Sequence, residues 1–391
     1  MRLSLGTVLV VTVIALLAPL LVQLAPALRL PAVVVEIVLG IVAGPSGFDW
    51  VEVDVPTDVL ALFGLGFLLF LAGLEIDPGR LRGAAGHVGV AFAVSLALAI
   101  VIGFGVELVH ETKSAAFLGI ALVSTSLGLV VPVLRDAGQT NTEFGQLVLA
   151  GSSAGEFGSI VLVSVFFSQD ASSTESTVFL LVAFSVLAVV IGLTLSRAGR
   201  SIRVSGALIR LEETTAQLGV RFAVMLLAVF FVLATDLGLE AILGAFVAGA
   251  LLRVVDRDER LIHERFRAKI EAIGYGFLVP VFFVSSGLRF DADALFAEPE
   301  HLALAGGLLV GLLLARGLPA LLYRPLVGMR RAVAAGLLQA TSLTFLVVAA
   351  HLGRELEVFD AAAASALLAA GLLSVVLFPP LALALLNRSP R

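Results

Sequence analysis

The run GSSAGEFGSI, residues 151–160, carries a single ionisable group, Glu156, among residues that are otherwise apolar, small or hydroxylic. An acid placed in hydrocarbon is costly and points to function. On a helix, Ser152 and Ser159 stand at i−4 and i+3 from Glu156 and form one polar stripe with it, with Ser153 one position around. A carboxylate with hydroxyl neighbours is hard, oxygen-based ligand chemistry, suited to an alkali cation or a proton and unsuited to a transition metal. Two further ionisable groups lie deep in apolar runs: Arg316 in LALAGGLLVGLLLARGLPALLY and Glu36 in LPAVVVEIVLGIVAGPSG. Arg316 is the expected countercharge to Glu156, because a buried ion without a partner is strongly unfavourable. Its guanidinium stays charged at physiological pH, so it can hold a bundle together but cannot carry a proton. Glu36 is expected to hold a partner such as Arg316 or to cap a helix inside the bundle, with direct ion binding as the alternative.

A second pattern surrounds these groups. VSTSLGLVVPVL, residues 123–134, and QATSLTFLVVAA, residues 339–350, both contain Thr-Ser-Leu, as Thr125-Ser126-Leu127 and Thr341-Ser342-Leu343. Hydroxyls can satisfy a backbone whose helix is broken at membrane depth, and the freed carbonyls and N–H groups can then bind ions. Such hydroxyls also serve simply to pack or to bond back to a carbonyl.

The elements that must position these residues follow from composition. Of 391 residues, 59% are hydrophobic and 14% charged, with a mean hydropathy of +1.09. That is a polytopic helical membrane protein. There is no cysteine, which excludes disulfides and thiolate metal sites, and the five histidines never stand as an i, i+4 ligand pair. The net charge of −5 carries no nucleic-acid signal. The N-terminal apolar stretch is too long for a signal peptide and reads as the first span.

Thirteen spans are expected, at about 5–26, 30–45, 57–75, 84–109, 113–135, 143–168, 174–196, 220–236, 238–254, 268–288, 301–323, 328–352 and 360–387. The two Thr-Ser-Leu copies then fall in the fifth and twelfth spans and cross with opposite polarity, as in an inverted-topology repeat of a secondary transporter. Arg and Lys concentrate in alternate connections, which hold Arg80, Arg82, Arg135, the 197–221 and 253–269 segments, Arg324, Arg330 and Arg331. The opposite set holds Arg2, Lys113, Arg289 and Arg354 and is rich in acids. This bias places the N-terminus outside and the C-terminus in the cytoplasm of a cell membrane. The two long basic connections read as interfacial helices that anchor the chain, with pH sensing as the alternative. Glu75 and Asp77, near Arg80 and Arg82, are expected to close a cytoplasmic funnel. Glu240 suits a helix N-terminus, and Pro132, Pro280 and Pro319 are expected to kink their helices.

Four blocks in order carry a family resemblance: LPAVVVEIVLGIVAGPSGF, LGFLLFLAGLEIDPGRLR, GLEAILGAFVAGALL and FLVPVFFVSSGLRFD. They resemble the second-helix, third-helix and two later signatures of the monovalent cation/proton antiporter-2 family, which includes sodium/proton and potassium/proton exchangers. The resemblance implies one all-α transmembrane domain over residues 1–391 with two crossed discontinuous helices. It also implies a homodimer with a dimerisation panel and a mobile core whose segments 113–168 and 301–352 carry the ion site. It places the crossings at Ser124–Leu127 and Gln339–Ser342, the ion carboxylate at Glu156 and the basic residue at Arg316. The expected ion-site set is therefore Glu156, Ser152, Ser153, Thr125, Ser126, Thr341 and Ser342, with Glu36 and Gln339 in support.

Where family members carry an acid or amide before an Asp, this chain reads Gly155-Glu156; its basic residue is Arg where Lys is frequent; and Ala340-Thr341-Ser342-Leu343 replaces a Gly-Gly-Glu-Phe run. One carboxylate beside a permanently charged Arg predicts electroneutral 1:1 competition between a cation and a proton for Glu156, which requires the acid to titrate near the working pH. No cofactor is expected beyond the transported Na+ or K+ and H+. A sodium-coupled organic-anion symporter and a non-transporting sensor are the alternatives. The symporter would want a cavity lined by several Asn, Gln or Arg, and the chain has two Asn, Asn141 and Asn387, both near span ends. No paired-acid, Ser/His or metal motif in a span points to an enzyme. No soluble module is expected after the last span.

Overall fold

A computed structural model describes residues 6–24, 31–74, 78–108, 114–167, 184, 217–237, 239–255 and 264–387. Its described elements are all helical: α1 Gly6–Leu24, α2 Ala32–Ala43, α3 Val55–Leu74, α4 Pro78–Glu107, α5 Ala115–Leu122, α6 Leu127–Asp136, α7 Glu143–Phe166, α8 Leu218–Asp236 and α9 Ala241–Val255. They continue with α10 Glu264–Ile273, α11 Val279–Leu288, α12 Ala292–Phe296, α13 Pro299–Leu312, α14 Arg324–Val327, α15 Met329–Gln339, α16 Thr344–Glu355 and α17 Ala361–Asn387. Among the described residues ten helices are long and apolar enough to cross a membrane, and Ala32–Ala43 and Ala241–Arg253 are shorter apolar helices. Each falls on an expected span. The expected span 174–196 apart from Phe184, the connection 197–216, residues 256–263 of the 253–269 linker, Glu75 and Asp77, and the side chains of Arg80 and Arg82 lie outside the described residues.

Two spans are broken where the Thr-Ser-Leu copies stand. The span from Ala115 is non-helical over 123–126, and the span from Met329 is non-helical over 340–343. Each break is offset by one residue from its expected position. Hydrogen bonding sets both boundaries. Ser124 N–H and Oγ both turn back to the Ala121 carbonyl, at 3.2 and 2.7 Å, which ends α5. Thr341 Oγ1 donates to Leu337 O at 3.1 Å and closes α15 in the same way.

Two expected proline kinks have a common form. Pro280 follows a π turn at Gly274–Leu278, and Pro319 follows a π turn at Leu313–Gly317 and opens a 3-10 turn through Tyr323. A proline ring strikes the carbonyl four residues earlier. Here those residues, Gly276 and Ala315, lie within the widened turns, and each span runs on past its proline. Pro132 lies within α6.

The chain divides into two compact units, one of residues 1–15, 53–76 and 163–285 and the other of 16–52, 77–162 and 286–391. In the first, α3 and α9 approach to backbone contact: a methyl at Gly73 would meet Phe246 O at 2.2 Å, and one at Gly249 would meet Phe70 O at 1.9 Å. The second unit holds both broken spans, Glu156, Arg316 and Glu36. On the side of its crossing toward Arg135 and Arg330, buried Leu127, Val130, Leu134, Phe144, Val148 and Leu338 form one apolar cluster with Tyr323. There Arg330 donates to the Leu385 and Leu386 carbonyls and satisfies the last turn of α17.

Candidate functional site

A broken helix at membrane depth leaves N–H and C=O groups that must find partners inside the protein. Here the two breaks supply each other. Ser126 N–H donates to Thr341 O at 3.0 Å, Thr125 Oγ1 donates to Gln339 O at 2.5 Å, and the Ser124 and Ser342 hydroxyls meet at 2.7 Å. Ser126 Oγ accepts both the Leu343 and Thr344 N–H groups, at 2.8 and 2.9 Å, and so caps α16. Ser124, Thr125, Ser126, Thr341 and Ser342 are all fully buried. Ser374 of α17 closes the second break: its hydroxyl accepts from Ser342 N–H at 3.1 Å and is 2.9 Å from Ser342 O.

The repeat is not symmetric at its helix starts. A serine caps α16, but at the first turn of α6 Glu156 Oε2 accepts the Leu127 N–H at 3.0 Å. A helix N-terminus favours negative charge, so the break positions and stabilises the Glu156 carboxylate. Glu156 is 4% exposed. Of the serines on its stripe, Ser159 Oγ donates to the Glu156 carbonyl at 2.8 Å and Ser153 Oγ to Leu149 O at 2.8 Å. Ser152 Oγ, one turn before Glu156, is buried with no hydrogen-bond partner.

Arg316, in the π turn, is 1% exposed. Its Nε donates to Thr125 Oγ1 at 2.9 Å, Nη2 to Gly151 O at 2.7 Å and Nη1 to Ser95 Oγ at 3.4 Å. These bonds join α4, the first break and α7 through one guanidinium. Thr125 in turn donates to Gln339 O, which extends the network to α15. The expected countercharge is therefore held against the helix of Glu156, and its hydrogen bonds go to neutral oxygens rather than to the Glu156 carboxylate. Gly155 permits that approach: a methyl there would stand 2.7 Å from Arg316 Nη2 and 3.0 Å from Thr125 Oγ1.

Gln339 Nε2 donates to the Tyr323 hydroxyl at 3.4 Å. Glu36 is not among the hydrogen-bond partners of Arg316, and α2 starts at Pro31 with no side-chain cap. Sequence reasoning missed Ser95, Ser374 and Tyr323. The first two had one visible signal, a hydroxyl residue inside an otherwise apolar span. Of the Tyr323–Gln339 contact, only the Gln339 end was singled out in the sequence. A separate cavity of about 700 Å³ is lined by Arg289, Asp293, His351, Arg354 and Glu355, among others, but by none of the crossing residues.

The "sodium/hydrogen exchanger, transmembrane" family profile matches residues 12–385. The putative Na(+)/H(+) antiporter YjbQ of Bacillus subtilis is 28% identical over 392 residues, covering 96% of this chain and 62% of that protein. The chain thus spans less than two thirds of that relative's length. The probable Na(+)/H(+) antiporter 3 of Methanocaldococcus jannaschii is 25% identical over 336 residues, covering 84% of this chain and 83% of that one. Among solved structures, the sodium proton antiporter MjNhaP1 from Methanocaldococcus jannaschii at pH 8 shares the fold, with a TM-score of 0.65 at 18% identity over 97% of this chain and 98% of that one.

Proposed function

Because the chain belongs to the transmembrane sodium/hydrogen exchanger family, we propose that it is an antiporter exchanging a monovalent cation, Na+ or K+, for protons by alternating access. The observation that carries this reading is the buried Glu156 carboxylate on the Leu127 N–H at a pair of crossed, broken helices. One cation or one proton neutralises Glu156, with Ser152 Oγ as the open hydroxyl ligand.

Arg316 sets the charge balance. Ionised Glu156 and the guanidinium sum to zero, and the sum is one positive charge whether Glu156 holds a proton or a cation. Each leg of the cycle then moves the same charge, so exchange is 1:1 and electroneutral. The Arg/Lys distribution supports a C-terminus on the cytoplasmic side of the cell membrane. The family resemblance supports a homodimer.

Fluorescence dequenching in proteoliposomes tests the proposal, with Na+, K+ or Li+ supplied across a pH series. Cation-dependent proton flux at an unchanged rate under a valinomycin clamp is the expected result. Absence of such flux with every cation at every pH would overturn the antiporter reading, and a clamp-dependent rate would overturn the stoichiometry.

A further inference from the structure

Glu36 is a second acid in the unit that holds Glu156, and the exchange chemistry does not use it. It is 5% exposed on an apolar helix, between buried Val34 and Ile37, and its Oε2 is buried with no hydrogen-bond partner. No charged neighbour acts on it among the described residues. The packing beside it is tight. A methyl at Gly287, at the end of α11, would stand 2.2 Å from Ile37 O and 2.9 Å from the Gly40 Cα, so backbone meets backbone one residue along from the acid.

The titratable groups of the adjoining segments, Asp49 and Glu52 after α2 and Arg289 and Asp291 after α11, lie beyond the helix ends. The end of α2 itself is about 10 Å along the axis from Glu36. An ionised carboxylate buried without a partner is strongly disfavoured. An alkali cation would need several oxygen ligands, and the Glu36 carboxyl has no hydroxyl or amide bonded to it. A proton needs none.

We infer that Glu36 is a second proton-binding site, a carboxylic acid that keeps its proton while Glu156 exchanges. It makes α2 neutral where it meets the end of α11. For transport, a clause that rests on the proposed exchange, it leaves Glu156 as the one carboxyl whose proton is counted.

The test is infrared difference spectroscopy of the purified full-length protein in lipid, wild type minus Glu36→Gln, titrated to alkaline pH. The expected result is a protonated-acid carbonyl band that is present in the wild type, lost in Glu36→Gln and still present at pH values where transport is alkaline-limited. Glu36→Asp keeps the acid and should move the band without removing it, which decides the matter if Glu36→Gln does not fold. Carboxylate stretching bands in place of the acid band would overturn the proposal. This reading stands whether or not the protein moves ions.

In proteoliposomes Glu36→Gln should exchange within about twofold of the wild-type rate, as for a neutral replacement of the same volume, and stay insensitive to a valinomycin clamp. With exchange present in the wild type, a folded Glu36→Gln protein without it would overturn the proposal by showing that the proton of Glu36 must leave.

Discussion

Arg316 and Gly155 occupy one space. The guanidinium lies so close to the backbone of Gly155 that even a methyl there would stand 2.7 Å from Nη2 and 3.1 Å from Cζ. That guanidinium, arriving from another span, fills the space that a side chain at position 155 would take. The absence of a side chain at position 155 and the presence of Arg316 are thus one design choice.

Gly155→Ala should therefore push the guanidinium off Gly151 O and lower stability by about 1–3 kcal/mol, the usual cost of overpacking. Thermal unfolding of the purified protein measures it. Gly155→Asp, which adds an acid as well as bulk, should lower stability at least as much.

Arg316→Lys keeps the charge but cannot reach Thr125, Gly151 and Ser95 together, since an ammonium lacks the planar fork. Breaking these charge-assisted bonds should cost about 2–3 kcal/mol and reduce exchange, with stoichiometry under the valinomycin clamp unchanged. A voltage-dependent rate in the Lys variant would contradict the charge count.

Glu156→Gln should abolish cation-dependent proton flux and leave unfolding nearly unmoved. The amide oxygen can still accept the Leu127 N–H, so the stability change should stay within about 1 kcal/mol. Retained flux would dismiss Glu156 as the exchanging group.

The serines separate by role. Ser126→Ala leaves two buried N–H groups, of Leu343 and Thr344, without an acceptor and should destabilise by about 1–3 kcal/mol for each. Ser152→Ala should leave stability unchanged and raise the cation KM about fivefold, the loss of roughly one ligand hydrogen bond's worth of energy. Ser153→Ala, whose hydroxyl only bonds back to Leu149 O, should change neither. Unfolding and flux titrations on the three variants resolve the assignments.

Much of this arrangement was legible in the sequence. Hydropathy located the described spans, the Thr-Ser-Leu copies marked the two spans that break, and the family resemblance placed both breaks to within one residue. Glu156 stood out because an acid in hydrocarbon is costly. The partners of Arg316 were not legible. A charge rule pairs it with the nearest acid, whereas the fold gives it three neutral oxygens from three elements, and no pattern in the chain encodes that geometry. Gly155 looked like a missing ligand because a glycine's meaning depends on what approaches it. The π turns before Pro280 and Pro319 were also hidden: proline announces a bend but not the form the helix takes in front of it.

The mutual capping of the two breaks also sets a clock on biogenesis. Ser126 and Leu343 are 217 residues apart, so the ribosome delivers the second break long after the first has entered the membrane. At 5–20 residues per second that interval is about 10–40 s. Throughout it Ser126 N–H and the Thr125 hydroxyl lack the Thr341 and Gln339 carbonyls that receive them in the finished fold. The nascent chain must be sheltered by water, lipid headgroups or the insertion machinery until its other half arrives.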